Sequence, residues 1–178
     1  EIENIIYAAD LRFKRKNIKK NIIAWLKRPA LGMVPLFMAG DKQFYFYGAS
    51  PIDYDIRVVC DMYKLCTINI NEHITNGITK IGVVFNTDRS DQSGKHWISL
   101  YIDLVGKNMK QPAIYFFDSV GNKPPKELNE LIKTIRSQKK FKYYYNDIQH
   151  QEQNSECGIY CIHFLIYMLK NGNFKKYI

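Results

Sequence analysis

The tightest constraint on this chain is an abrupt change of chemistry inside Gln149–Leu169, QHQEQNSECGIYCIHFLIYML. The first eight residues are polar or acidic. Cys157-Gly158 follows, and then an almost wholly apolar run. The apolar half has helical length, with Asn154 or Ser155 as its expected N-cap. Ile159, Tyr160, Cys161, Ile162, Phe164, Leu165, Ile166 and Met168 leave it hardly any polar face. A surface helix would carry one, so this helix is expected to be buried against a sheet. Cys157 falls in its first turn, where unpaired N–H groups and the positive end of the helix dipole favour thiolate over thiol. Cys157 is therefore a candidate nucleophile, and the rest of the chain must bury its helix and serve it.

The remaining pattern predicts an α+β domain. Residues 1–30 read as a basic amphipathic helix stopped by Pro29, and Phe44–Tyr47 as a strand ending at Gly48. Gly48–Asp55 reads as a turn, and Ile56–Met62 as a strand or short helix. Strands are expected at Ile78–Asn86, His96–Leu104, Ile114–Asp118 and Phe141–Ile148, from β-branched and aromatic alternation. Leu128, Leu131, Ile132 and Ile135 recur at helical spacing in Pro124–Ser137. The architecture expected is a small mixed or antiparallel sheet packed on the buried Cys157 helix, with flanking helices. At 178 residues it reads as a single domain.

Composition removes several function classes. Aromatic residues make up 14% of the chain, which argues against disorder. No apolar run reaches the roughly 18 residues of a membrane span, and no signal-peptide layout opens the chain. Cys60, Cys66, Cys157 and Cys161 form no zinc-finger spacing and are too sparse for a disulfide scaffold. Reduced thiols in an intracellular, reducing setting are the expectation, with no metal or organic cofactor. The net charge of +9, part of it in Arg12–Lys20, predicts affinity for polyanions, including nucleic acid. A solvated helix face is the simpler account of that basic run.

A thiolate that performs acyl transfer needs a base, an orienter for the base and an oxyanion hole. Of the four histidines, His163 shares the Cys157 helix but points to another face, and His150 lies just before it. His96 opens a strand beside a loop, where catalytic groups usually sit. His73 completes the set. An antiparallel hairpin whose loop is centred near Lys107 places His96 opposite Asp118. The rival carboxylate, Asp103, falls on the other face, roughly 23 Å along at about 3.3 Å per residue. Oxyanion donors are available in the Cys157 N–H and in Gln149, Gln151, Gln153 or Asn154, and Trp97 can wall the cleft. Taken singly, a cysteine on an apolar helix is more often a core residue, and Cys161 is read as one. The joint order, with each residue at the end of an element, is what singles out Cys157.

That order, His96-Trp97, Phe117-Asp118-Ser119-Val120-Gly121, then Gln151 six residues before Cys157-Gly158, resembles the SUMO-protease and adenain-like cysteine peptidases. The resemblance implies a papain-related fold with His96 as base, Asp118 as orienter, Gln151 as oxyanion donor and Cys157 as nucleophile. Trp97 would bind substrate. Phe85-Asn86-Thr87-Asp88, Gly94-Lys95-His96-Trp97 and Ile148-Gln149-His150-Gln151 look more narrowly like the polyprotein proteases of large DNA viruses, such as the African swine fever virus protease and the poxvirus core protease. The likeness implies a monomeric viral endopeptidase that cuts polypeptide precursors at Gly-Gly-Xaa sites during particle maturation, in host cytoplasm and virion. Residues 1–77 would recognise substrate and 78–178 would form the catalytic core. The same residues would equally serve removal of SUMO or ubiquitin-like proteins. An acyltransferase of the wider clan, which tends to carry Glu at the orienter position, and a non-catalytic nucleic-acid-binding module are the remaining rivals.

Overall fold

The computed structural model describes residues 41–152 and 156–178. The expected basic helix in residues 1–30 and the candidates Gln153, Asn154 and Ser155 lie outside them. Residues 41–178 form one compact unit. In chain order it contains β1 (Phe44–Pro51), α1 (Arg57–Tyr63), a 3-10 turn (Leu65–Thr67), α2 (Ile70–Thr75), β2 (Lys80–Asn86), β3 (Trp97–Asp103), β4 (Ala113–Phe117), α3 (Lys126–Gln138), β5 (Lys142–Tyr145), α4 (Cys157–Leu169) and α5 (Phe174–Tyr177). The five strands form one mixed sheet in sequence order. The pairs β1–β2 and β4–β5 are parallel, whereas β2–β3 and β3–β4 are antiparallel.

Both faces of the sheet are covered, which is why β2 and β4 are buried along their whole length. On one face Ile81, Val83, Phe85, Leu100, Ile102, Ile114 and Phe116 join Leu128, Leu131, Ile132 and Ile135 of α3 in one core. The period-3.6 apolar stripe of α3 thus meets the period-2 stripes of three strands. On the other face lies α4. Phe164 stacks on Phe117 at 4.9 Å between ring centres, and Phe174 sits 5.3 Å from Tyr115. At Gly82 on β2, an added Cβ would lie 3.5 Å from Leu165 Cδ2 and 2.6 Å from the Phe44 ring. A side chain there would hold the helix off the sheet.

Several expectations need correction. The segment from Gly48 is not yet a turn: β1 runs through it to Pro51, with a register irregularity between Phe46 and Ala49. Ile56–Met62 resolves as helix α1. A helix at Ile70–Thr75 has no sequence-based counterpart above, although Asn69 caps it by accepting from the Glu72 N–H at 3.1 Å. The cysteines are not all free thiols, because the helical turn after Cys60 brings Cys66 to a Cα separation of 5.5 Å and the two form a disulfide. The N-cap of α4 is Glu156, without a side-chain cap bond, rather than Asn154 or Ser155.

The β3–β4 hairpin departs from expectation in an instructive way. Ser99 pairs with Phe117 and Asp103 with Ala113, so the loop centres on Asn108 rather than Lys107. The pairing therefore slides by two residues. The cause is Asp103, fully buried, whose Oδ1 accepts from the N–H groups of Val105 and Gly106 at 3.1 and 2.7 Å and whose Oδ2 accepts from Asn108 N–H at 2.7 Å. This wider loop needs left-handed backbone at Gly106 and Lys110. A two-residue slide preserves which side chains share a face. Asp103 is thus the carboxylate that builds the hairpin. Asp103→Ala should cost about 2 kcal/mol, since it strands the buried Asn108 N–H and frees the half-buried donors of Val105 and Gly106. Urea unfolding will show that loss, while Cys157 alkylation in the folded protein should keep its wild-type pH dependence.

Candidate active site

The site forms where β3 begins, β4 ends and α4 begins. His96 immediately precedes β3, Asp118 immediately follows β4, and Cys157 is the first residue of α4. His96 Nε2 lies 2.7 Å from Asp118 Oδ1, which leaves the other ring nitrogen for the Cys157 thiol, to which His96 is also hydrogen-bonded. The strand ladder stops at Ser99–Phe117, so His96 and Asp118 meet as a diagonal pair just beyond it, not as the directly opposed pair of the sequence expectation. The backbone N–H groups of Trp97 and Gly158 both bond the Cys157 sulfur.

These contacts set the charges. Burial by itself would push the His96 imidazole down. Hydrogen bonds to Asp118 and Cys157, with the negative charges they carry, reverse that and hold it at about 9. Burial likewise opposes ionisation of Cys157, yet the His96 contact and the Trp97 and Gly158 N–H groups bring the thiol below its ordinary value. Asp118 is 3% exposed. Burial pushes its carboxyl upward, but His96, the Val120 N–H at 2.8 Å and the Asn122 side chain hold it below the usual range. The three shifts agree on one charge distribution: carboxylate, imidazolium and thiolate. Cys161, one turn further along α4, is fully buried, and its burial drives the thiol well above the ordinary value. It is a core thiol.

Gln151 is buried beside this cluster at 5% exposure. Its Oε1 accepts from the Ser119 hydroxyl at 2.7 Å. The Ser119 carbonyl in turn accepts from the N–H groups of His150 and Gln151 at 2.8 and 3.0 Å. Because the carbonyl end of the amide is occupied, its Nε2 is the end left to donate, and it makes no hydrogen bond to another described residue. Gln149 bonds the Gln151 carbonyl instead, through its own Nε2. The loop before His96 is tied down by Asn86 and Asp88: Asn86 Oδ1 accepts from Asp88 N–H, and Asp88 Oδ2 from Gly94 N–H.

His73 bonds Tyr47 at 2.7 Å and His163 bonds Tyr177 at 2.9 Å, so both are engaged elsewhere. His150 packs against Phe117 and Tyr177. Ser119 as the partner of Gln151, and Asn146, whose side chain bonds the backbone of Asp118, were not singled out for these roles from sequence. Asn146 sits in a strand-like run with nothing to mark it. Among the described residues, no group of three or more His, Cys, Asp and Glu side chains could hold a metal ion, and no helix is long and apolar enough to cross a membrane.

A thiol at the start of a helix, facing an imidazole and carboxylate from adjoining strands, defines the class of papain-like thiol peptidase scaffolds. Within that class the chain belongs to the Ulp1 protease family, whose C-terminal catalytic domain it matches over residues 69–178. It is 35% identical over 141 residues to a putative thiol protease of Acanthamoeba polyphaga mimivirus, covering 76% of this chain and 44% of the relative. To a SUMO-1 cysteine protease of African swine fever virus it is 30% identical over 104 residues, covering 54% of this chain and 37% of the relative. The chain therefore spans less than half the length of these relatives. Among solved structures, the African swine fever virus protease superposes with a TM-score of 0.66 at 20% identity, covering 85% of this chain and 58% of that one. A SUMO protease Ulp1 whose catalytic cysteine is oxidised to a sulfonic acid gives 0.52 at 17% identity, covering 85% and 66%. These two likenesses support the fold.

The charge distribution has a direct readout. Alkylation of Cys157 by iodoacetamide should proceed at pH values below those at which an ordinary thiol reacts. A second rise in rate should pass through about 9 as the imidazolium loses its proton and frees the thiolate. A single transition near the ordinary cysteine value of about 8.5 would contradict the ion pair.

Proposed function

We propose that this chain is a cysteine endopeptidase, with Cys157 as nucleophile, His96 as general base and acid, Asp118 as the orienter of His96, and Gln151 as oxyanion donor. The observation that carries the reading is His96 placed between Asp118, at 2.7 Å, and the Cys157 thiol. The Cys157 thiolate attacks the scissile carbonyl carbon, and the C=O electron pair moves onto oxygen. Gln151 Nε2 and the Cys157 backbone N–H receive that oxyanion. Collapse re-forms the C=O and breaks the C–N bond as the His96 imidazolium gives its proton to the leaving amine. His96, now neutral, takes a proton from water, whose oxygen attacks the acyl thioester and releases the carboxylic acid and the thiolate. Asp118 stays ionised throughout and stabilises the imidazolium.

The substrate side rests on Trp97 and on the family. Trp97 follows His96 directly and shares a strand face with Ser99 and Tyr101, the face that α4 covers. Its ring is taken as the wall over the substrate main chain, passed most easily by small residues such as Gly. A viral precursor polypeptide cut after Gly-Gly-Xaa motifs during particle maturation is the substrate proposed, in host cytoplasm and virion. A SUMO-like protein is the second reading, favoured by the African swine fever virus relative, which is named a SUMO-1 cysteine protease.

Incubation with a panel of Gly-Gly-Xaa peptides beside electrophilic SUMO and ubiquitin probes separates these readings. Cleavage of the peptides without probe labelling is the expected outcome, and labelling by the SUMO probe alone would replace precursor processing with deconjugation. Cys157→Ala and His96→Ala should abolish cleavage in folded protein. Gln151→Ala should lower kcat by roughly 10²–10³-fold while the alkylation profile of Cys157 stays that of wild type. Cleavage retained by Cys157→Ala would sink the mechanism.

A further inference from the structure

Asn146 lies one residue beyond β5 and is fully buried, at 0% exposure. A buried primary amide is expensive unless each of its polar atoms finds a partner, and here they do. Its Oδ1 accepts from the Asp118 N–H at 2.8 Å. Its Nδ2 donates to the Asp118 carbonyl at 2.7 Å and to the Ile148 carbonyl at 3.0 Å. Both backbone groups of one residue, Asp118, are thus held by one side chain.

The location explains why a side chain is used. The parallel β4–β5 ladder ends at Phe116–Tyr145, two residues short of Asp118. Past that point the Asp118 N–H has no backbone partner among the described residues, its carbonyl meets only the Gly121 backbone N–H of its own turn at 2.9 Å, and backbone bonds to the next segment resume at Ser119. The Asn146 carboxamide has the donor and acceptor of a peptide unit and takes the place of the missing rung. It thereby fixes the Asp118 backbone beyond the end of the sheet, where the carboxylate must meet His96. Its second donor bond reaches Ile148, at the head of the loop that carries Gln151. That loop and the Asp118–Gly121 turn are packed backbone to backbone: a Cβ on Gly121, whose φ is +82°, would lie 2.9 Å from the Ile148 carbonyl carbon.

We infer that Asn146 is a positioning residue for both halves of the site, holding Asp118 against His96 through its bonds to the Asp118 backbone and the Gln151 loop through its bond to Ile148. The inference rests on the endopeptidase reading for its kinetic consequence but not for its geometric one. It touches no reacting atom and acts through Asp118 and Ile148.

Two variants separate its bonds. Asn146→Ala removes all of them. Asp118 then keeps only its own turn's bonds, from the Gly121 and Val120 N–H groups, and is held less firmly against His96, so the imidazolium is less well held. The upper step of the iodoacetamide profile should move below about 9, and kcat should fall roughly 10- to 100-fold, as a misplacement near 1 Å costs, with KM little changed. Asn146→Asp keeps an acceptor for the Asp118 N–H but loses both donor bonds. It should keep the upper alkylation step at or above the wild-type position while kcat still falls. A role confined to stability would lower the melting temperature of both variants without moving that step or separating step from rate. If Asn146→Ala does not fold, the split seen in Asn146→Asp decides the matter. The inference is overturned if folded Asn146→Ala keeps its upper step near 9, or if Asn146→Asp keeps full kcat or loses step and rate together. Should wild type cleave no substrate, a shifted alkylation profile in Asn146→Ala would still support the positioning of Asp118, and the endopeptidase reading would fall alone.

Discussion

Asp118 must stay ionised in a place that resists ionisation, and the end of the sheet is arranged around that demand. Its side chain is almost wholly withdrawn from water, where an unpaired carboxylate would take up a proton. Three donors prevent this: the His96 ring, the Val120 N–H and the Asn122 side chain. Two of them come from the turn that directly follows β4, so the same few residues both turn the chain and keep its charge. The imidazolium is held by that charge, and the thiolate by the imidazolium. Removing the first link would leave His96 with burial as the dominant influence, and burial favours the neutral ring.

The thiol arrives from the opposite side of the sheet. α4 is apolar on most of its surface because it lies directly on β2 and β3, with Phe164 against Phe117 and Leu165 over Gly82. Packing of this density leaves the helix little freedom to slide. Its first residue therefore falls at a fixed height, level with the end of β3, where the Trp97 N–H reaches the sulfur. The apolar helix and the polar loop before it are two parts of one requirement. The helix sets where the sulfur sits, and the loop carries Gln151, whose amide is held by the Ser119 hydroxyl.

Much of this was legible in the sequence, and the boundary of legibility has physical causes. The strands β2, β3 and β4 and the helix α3 announce themselves because burial imposes a period on their apolar residues. The His-Asp-Gln-Cys order is readable because His96, Asp118 and Cys157 each stand at the end of an element and Gln151 lies in the loop leading to the last of them. The short helix Ile70–Thr75 was missed although Asn69-Ile70-Asn71-Glu72 has the spacing of a capping box, since six residues give too little periodicity to outweigh their polar character. The run through Gly48 reads as a turn because Gly, Ser and Pro usually punctuate; parallel pairing with β2 and an irregular register absorb them. Asn146 left no signal at all. A buried asparagine and an exposed one look alike in a sequence, and only the end of a ladder shows which backbone groups need a partner.

The hairpin shows why a partly wrong register still points to the carboxylate that meets His96. The expected loop centre was one residue off, which slides the pairing by two. Side chains alternate with period two along a strand, so such a slide changes which residues oppose but not which face they share. Asp118 remained on the same side as His96, and Asp103 remained at the far end of the strand, where it collects the loop's N–H groups. A slide of one residue would have exchanged the faces and removed the basis for the choice. The contact that finally forms is diagonal and lies past the last rung, so strand pairing alone does not make it. The turn after β4 and the amide of Asn146 complete what the ladder begins, which is why the end of this sheet needs polar side chains in its interior at all.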